Sequence, residues 1–278
     1  MSRIEKAIEN ATQKRSMTDE HRPALKPVTL PENRVCNARE ELGRGPAITI
    51  DNPFLVTAND QSSPASEQYR KLKSLLVKLA QAGDFNKTLM VTSPIAGEGK
   101  TITAINLAIT MAQELDHTVL LIEADIRKPT VMSYLGLKAE RGLTDCVLEG
   151  IDLSEVIVKT GIGNLSILPA GRQVENPVEL FSSNRMHSIF DEVKSRYNDR
   201  YVIVDTTPLL PFAEPTYIAS MVGAVILVVR EGVTTNDKLQ SSIEILKNHN
   251  LLGVVSNCVS RVNSMQGYYG YYGYSGDR

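Results

Sequence analysis

The sequence predicts an α/β fold, with a mostly parallel sheet covered by helices on both faces. Three observations predict it. Short, almost wholly apolar runs recur at 87–93, 117–125, 201–207, 223–230 and 251–257. Stretches with helical spacing separate or precede them, at 63–80, 99–115, 184–197, 214–221 and 235–248. A glycine-rich loop stands between the first run and the helix after it. Strands that are apolar at nearly every position need cover on both faces, as parallel sheets have.

The individual elements follow from their residues. SPASEQYRKLKSLLVKLA opens on Ser-Pro and places Leu72, Leu75, Leu76 and Leu79 on one side, so it reads as a helix. KTLMVTS, HTVLLIEAD, YVIVDTT, GAVILVVR and LLGVVSN are strands by length and by their β-branched content. Residues 2–14 show helical spacing at Ile4, Ala7, Ile8 and Ala11 and read as a short surface helix. Residues 15–60 carry five prolines with little periodicity and read as a linker, with 52–57 as a short extended piece. The expected organisation is therefore a helix-plus-linker segment at 1–60, one α/β domain at 61–262 and a flexible tail at 263–278.

Composition narrows the function. The chain has 278 residues, with 30 Lys+Arg against 32 Asp+Glu. That balance gives no support for nucleic-acid binding by bulk charge. Three widely separated cysteines, Cys36, Cys146 and Cys258, lack metal-ligand spacing and fit a reducing, cytoplasmic setting. The N-terminus has no apolar signal segment. The longest apolar run, 218–229, is shorter than the roughly 20 residues that a spanning helix needs.

The loop Ser93-Pro94-Ile95-Ala96-Gly97-Glu98-Gly99-Lys100-Thr101 carries the chemistry. It follows a strand and opens a helix, the context in which a phosphate loop works. Glycines let backbone N–H groups turn toward phosphate oxygens, and the helix N-terminus adds its positive end. Gly97, Glu98, Gly99, Lys100 and Thr101 are the candidate nucleotide-binding residues, with Lys100 reaching phosphate and the Thr101 hydroxyl ligating Mg²⁺. Asp205 ends an apolar strand, where a carboxylate can hold the same ion. Glu123 and Asp125 end another strand at i and i+2, so they are expected to point the same way and face the loop. The candidate metal set is Thr101, Asp125 and Asp205, and the candidate catalytic set is Lys100, Glu123, Asp125 and Asp205.

On these residues the chain resembles the bacterial tyrosine kinases, P-loop NTPases that act as autokinases in exopolysaccharide and capsule assembly. The resemblance covers residues 62–278. Residues 93–101 match the family's phosphate loop throughout, including Pro94 in place of the usual first glycine. Its second acidic motif, Asp-x-Asp-x-Arg, appears here as Glu123-Ala124-Asp125-Ile126-Arg127, and its third as Asp205-Thr206-Thr207-Pro208. The GRQVENPVEL segment, with Gly171, Asn176-Pro177 and Glu179-Leu180, is also shared. Glu67, Arg70 and Lys73 stand where the family carries a helix-borne oligomerisation motif, with Lys for Arg at the third position.

The resemblance implies an ATP- and Mg²⁺-dependent kinase with Asp125 as the base that accepts the tyrosine proton and Glu123 supporting the metal shell. It further implies a ring-like homo-oligomer, a membrane-spanning polysaccharide co-polymerase as activator and a cognate tyrosine phosphatase. It places the protein in the cytoplasm, peripheral to the inner membrane through its partner. The acceptors would be Tyr268, Tyr269, Tyr271, Tyr272 and Tyr274. No aliphatic partner beyond Met265 is there to bury these rings, and the interleaved glycines at 267, 270, 273 and 276 oppose helix. Sixteen flexible residues span about 20–25 Å, and about 50 Å at most, enough to reach a neighbouring subunit. The rival reading is a partitioning ATPase of the MinD/ParA type, a nucleotide-dependent positioning switch. Such proteins usually carry a second lysine five residues before the loop lysine; that position is Ile95, and the rival leaves the tyrosines unexplained.

Overall fold

The structure is a computed structural model that describes residues 50–114, 117–196 and 200–260. The helix expected at 2–14, most of the linker, Cys36 and the tail tyrosines lie outside the described residues.

Seven strands form one sheet in the order β3-β4-β2-β5-β1-β6-β7. They are β1 (Thr88–Thr92), β2 (Thr118–Glu123), β3 (Val158–Lys159), β4 (Leu165–Leu168), β5 (Arg200–Asp205), β6 (Ala224–Arg230) and β7 (Leu251–Asn257). Every pairing is parallel except the short edge pair β3–β4. All residues of β1 and β2 are buried, which is why these runs show no polar alternation. The alternation is between two cores instead. Leu89, Val91, Leu121, Ile203 and Ile226 face one, with Leu76, Ile105 and Ile109. Met90, Leu120, Ile122, Val202 and Val204 face the other, with Phe181, Phe190 and Ile218.

The first core is roofed by α2 (Pro64–Ala82) and α3 (Lys100–Ala112). Helix α2 starts on Ser63, whose hydroxyl accepts from the Ser66 N–H, with Pro64 at the first position; it stops at Gly83 in the left-handed region. A serine cap and a first-turn proline favour a helix start, and a left-handed glycine favours a helix stop. The second core is covered by α5 (Leu143–Glu149), α7 (Pro177–Ser182), α8 (Asn184–Ser195) and α9 (Glu214–Met221). The remaining helices are α1 (Val56–Asn59), α4 (Val131–Tyr134), α6 (Leu153–Val156) and α10 (Asn236–Leu246). No helix among the described residues is long and apolar enough to cross a membrane.

Strand β1 connects through α3 toward one edge, whereas β5 continues toward the other through α9 on the opposite face. The two strands are neighbours. Their C-terminal ends therefore flank the crevice where open α/β sheets bind ligands.

Residues 52–57 are not the extended piece expected from the sequence. They form a turn leading into α1, with Leu55 fully buried in the first core. The reason is a buried polar lock: Asn106, in the middle of α3, accepts from the Thr57 N–H at 3.0 Å and from its hydroxyl at 2.9 Å, and donates to the Phe54 carbonyl at 3.0 Å. Asn106→Ala leaves several of these groups without partners, at a cost of about 1–3 kcal/mol. We expect a melting temperature lower by roughly 3–10 °C, read by calorimetry, with Thr57→Val giving a smaller drop.

Candidate active site

The phosphate loop runs from the end of β1 to the start of α3. Gly97 and Gly99 adopt φ of +84° and +92°, a region nearly closed to other residues. The loop is tied to the turn after β5: the Leu209 and Leu210 N–H groups donate to the Ser93 and Pro94 carbonyls at 2.8 and 3.1 Å.

Four predicted side chains converge there. Lys100 Nζ lies 2.8 Å from Asp125 Oδ2, 3.1 Å from Thr101 Oγ1 and 3.9 Å from Asp205 Oδ1. The Thr101 hydroxyl donates to Asp205 Oδ2 at 2.8 Å. Asp205 is only 1% exposed, and its Oδ1 has no hydrogen-bond partner. Burial, set against the nearby Lys100 charge, pushes its carboxyl up to about 7. Burial also works against the Lys100 charge, but the Asp205 and Asp125 carboxylates outweigh it and hold the amine above the ordinary lysine range.

An orphaned carboxylate oxygen beside a threonine hydroxyl is a donor set that suits a hard cation such as Mg²⁺. Among the described residues, no trio of His, Cys, Asp and Glu is arranged to hold a metal alone. Mg²⁺ fits such a site because it commonly takes part of its shell from phosphate and water.

Glu123 sits beside Asp205 across the β2–β5 pair, but its hydrogen bonds go to other groups. Its Oε1 accepts from the Val131 N–H at 2.6 Å and its Oε2 from the Ala170 N–H at 3.3 Å. It braces the start of α4 and the end of the β4 loop, while burial pushes its carboxyl up against those bonds. Glu123 and Asp125 bond to different groups, and β2 ends at Glu123. Asp125 belongs to the following turn, where its Oδ1 accepts from the Lys128 N–H at 3.1 Å. Arg127 turns away from both acids: its Nε and Nη2 reach Glu214 Oε1 at 2.7 and 2.6 Å, and its guanidinium lies 4.7 Å from the Phe212 ring centre.

Glu98 contributes backbone to the loop, but its side chain is fully buried away from solvent. Oε2 accepts from the Ile95 N–H at 2.8 Å, and Oε1 accepts from the Thr234 hydroxyl. Thr234, Asn257 and Arg230, which touch the loop from β6 and β7, carry no sequence signal because they are more than 130 residues away. Gly171 sits at φ +84° against Thr144 and Asp145 at the start of α5, so the GRQVENPVEL segment opens as a packing contact. On α2, Glu67 and Arg70 pair at 2.7 Å, and Lys73 pairs with Glu114 at 2.7 Å. The predicted oligomerisation residues thus have partners within the chain.

Comparison with known proteins fits this arrangement. Residues 86–249 match the AAA domain family model. Tyrosine-protein kinase YwqD of Bacillus subtilis is 33% identical over 77% of this chain and 90% of its own. The chain belongs to the bacterial tyrosine-protein kinase family. Among solved kinases, the kinase domain of Escherichia coli tyrosine kinase ETK aligns with a TM-score of 0.69 at 28% identity, covering 82% of this chain and 90% of that one. The chimerical protein CapA2B2 gives 0.67 at 28% identity, covering 79% and 96%. Family members differ in length: the chain spans only 30% of the full-length E. coli kinase.

Two expectations follow. Glu123→Ala exposes two buried N–H groups, at roughly 1–3 kcal/mol each, so it should lower the ligand-free melting temperature by several degrees. Asp125→Ala removes the close partner of the buried Lys100 amine and of the Lys128 N–H and should lower it by several degrees as well. Separately, the folded protein keeps a proton on Asp205 that the unfolded chain releases, from about pH 4 up to about 7. Stability from this group therefore falls as pH rises through that window. Asp205→Asn should melt a few degrees above wild type at pH 8, with the gain vanishing near pH 4.

Proposed function

We propose that this protein is an ATP- and Mg²⁺-dependent protein-tyrosine autokinase whose acceptors are Tyr268, Tyr269, Tyr271, Tyr272 and Tyr274 on a neighbouring subunit. The observation that carries the reading is the convergence of Lys100, Thr101, Asp125 and Asp205 at the crevice between β1 and β5. Thr101 and Asp205 would hold Mg²⁺, which when bound neutralises charge on the transferring phosphate. Backbone amides of residues 97–101 would cradle the phosphates.

Lys100 does two things in turn. Lys100 is paired to Asp125 at 2.8 Å. With nucleotide its charge goes to phosphate, which frees the Asp125 carboxylate to accept the proton of an incoming tyrosine. The tyrosine oxygen then bonds to the γ-phosphorus, the bond from that phosphorus to the β–γ bridging oxygen breaks, and ADP leaves. Asp125 is the base in this scheme, and Glu123 acts on it only by fixing the neighbouring backbone.

Leu75 is exposed on α2 and lines a groove with Glu67 and Arg70, which supports the use of this helix as a contact between subunits of a ring-like oligomer. The activator would be a membrane-spanning polysaccharide co-polymerase, placing the enzyme at the inner membrane in exopolysaccharide or capsule production. Phosphotyrosines add about −1.5 to −2 charges each and would loosen the oligomer by repulsion.

The test mixes wild-type protein with a Lys100→Met chain of distinguishable mass, adds ATP-Mg²⁺ and blots for phosphotyrosine. Signal on the Lys100→Met chain, lost when its five tail tyrosines are changed to Phe, is the expected result. ATP hydrolysis with no phosphotyrosine on either chain would instead identify a nucleotide switch.

A further inference from the structure

Outside the predicted cluster, the loop is gripped from its other side. The Asn257 amide, at the end of β7, donates from Nδ2 to the Glu98 carbonyl at 2.9 Å. The amide's orientation is fixed, because its Oδ1 accepts from the Cys258 N–H at 2.9 Å. Arg230, at the end of β6, reaches the Gly97 carbonyl from Nη1 at 3.4 Å. Thr234 accepts from the Arg230 N–H at 2.9 Å and donates to the buried Glu98 carboxylate. That carboxylate in turn closes the loop on the Ile95 N–H.

These bonds bear on peptide direction. The peptides are trans, and in a trans peptide the carbonyl and the next N–H point opposite ways. Holding the Glu98 carbonyl toward Asn257 turns the Gly99 N–H away from it. Holding the Gly97 carbonyl toward Arg230 does the same for the Glu98 N–H. Successive N–H groups aimed to one side are what makes such a loop an anion site. The fit is close: a Cβ on Gly99 would come within 2.0 Å of Asn257 Nδ2. Gly99 is thus required by Asn257 as well as by its φ.

We infer that Asn257, with Thr234 behind Glu98, is a positioning residue for phosphate binding, acting through the loop backbone without touching the nucleoside. The inference rests on the nucleotide-site reading above.

The test uses full-length protein and two probes, ADP-Mg²⁺ and inorganic pyrophosphate-Mg²⁺, with affinities measured by calorimetry. Asn257→Leu keeps the side-chain shape and removes the donor. We expect both probes to bind about tenfold more weakly, the scale of one well-made hydrogen bond to a ligand-facing peptide. In autophosphorylation the KM for ATP should rise with kcat near wild type. Thr234→Val, a milder change in a half-exposed turn, should weaken both probes in the same direction. Loss of ADP binding with pyrophosphate unaffected would mean a nucleoside contact and would overturn the inference. So would affinities within twofold of wild type in both variants. Wild-type protein that bound neither probe would overturn the nucleotide site itself.

Discussion

One lysine balancing two buried carboxylates is the constraint around which this domain is arranged. Lys100 is held between Asp125 and Asp205: Lys100 opens α3 after the loop that follows β1, Asp125 lies in the turn after β2, and Asp205 ends β5. β1, β2 and β5 must be adjacent, parallel and in register for the charges to meet; Val91 and Glu123 both pair with Asp205. A register slip of one residue would turn the carboxylate into a core. The two apolar layers thus fix the positions of three charges that would repel or remain unpaired if placed independently.

The arrangement is under-compensated by one oxygen. Asp205 Oδ1 finds no hydrogen-bond partner among the described residues, and burial holds the carboxyl well above its solution value despite the Lys100 charge and the Thr101 hydroxyl. Unsatisfied buried groups are costly, and here the group lies where the phosphate loop meets the strand ends. The stability given up locally is recovered in the apolar layers on either side.

Much of this was legible in the sequence, because β1, β2 and β5 are continuous apolar runs that end on the residues that matter. The loop glycines, Lys100, Thr101 and Asp205 needed only their local context. What was not legible depends on distance or on short elements. β4 is four residues between glycines and Pro169, too brief for periodicity to show. The short helices α5 and α7 gave no full helical repeat. The partner of Glu98 lies 136 residues downstream. The separate partners of Glu123 and Asp125 were not legible either, because β2 ends between them and the Val131 and Ala170 N–H groups that Glu123 takes up lie 8 and 47 residues away.

The lock between Asn106 and residues 54–57 also has a kinetic meaning. Its partners are 49 to 52 residues apart in sequence, and closing so long a loop costs entropy before any contact repays it. The receiving surface does not exist until α3 has packed on the sheet. Contacts of such sequence separation are slow to form, so residues 54–57 are expected to dock late in folding, as a keystone set on an arch already standing.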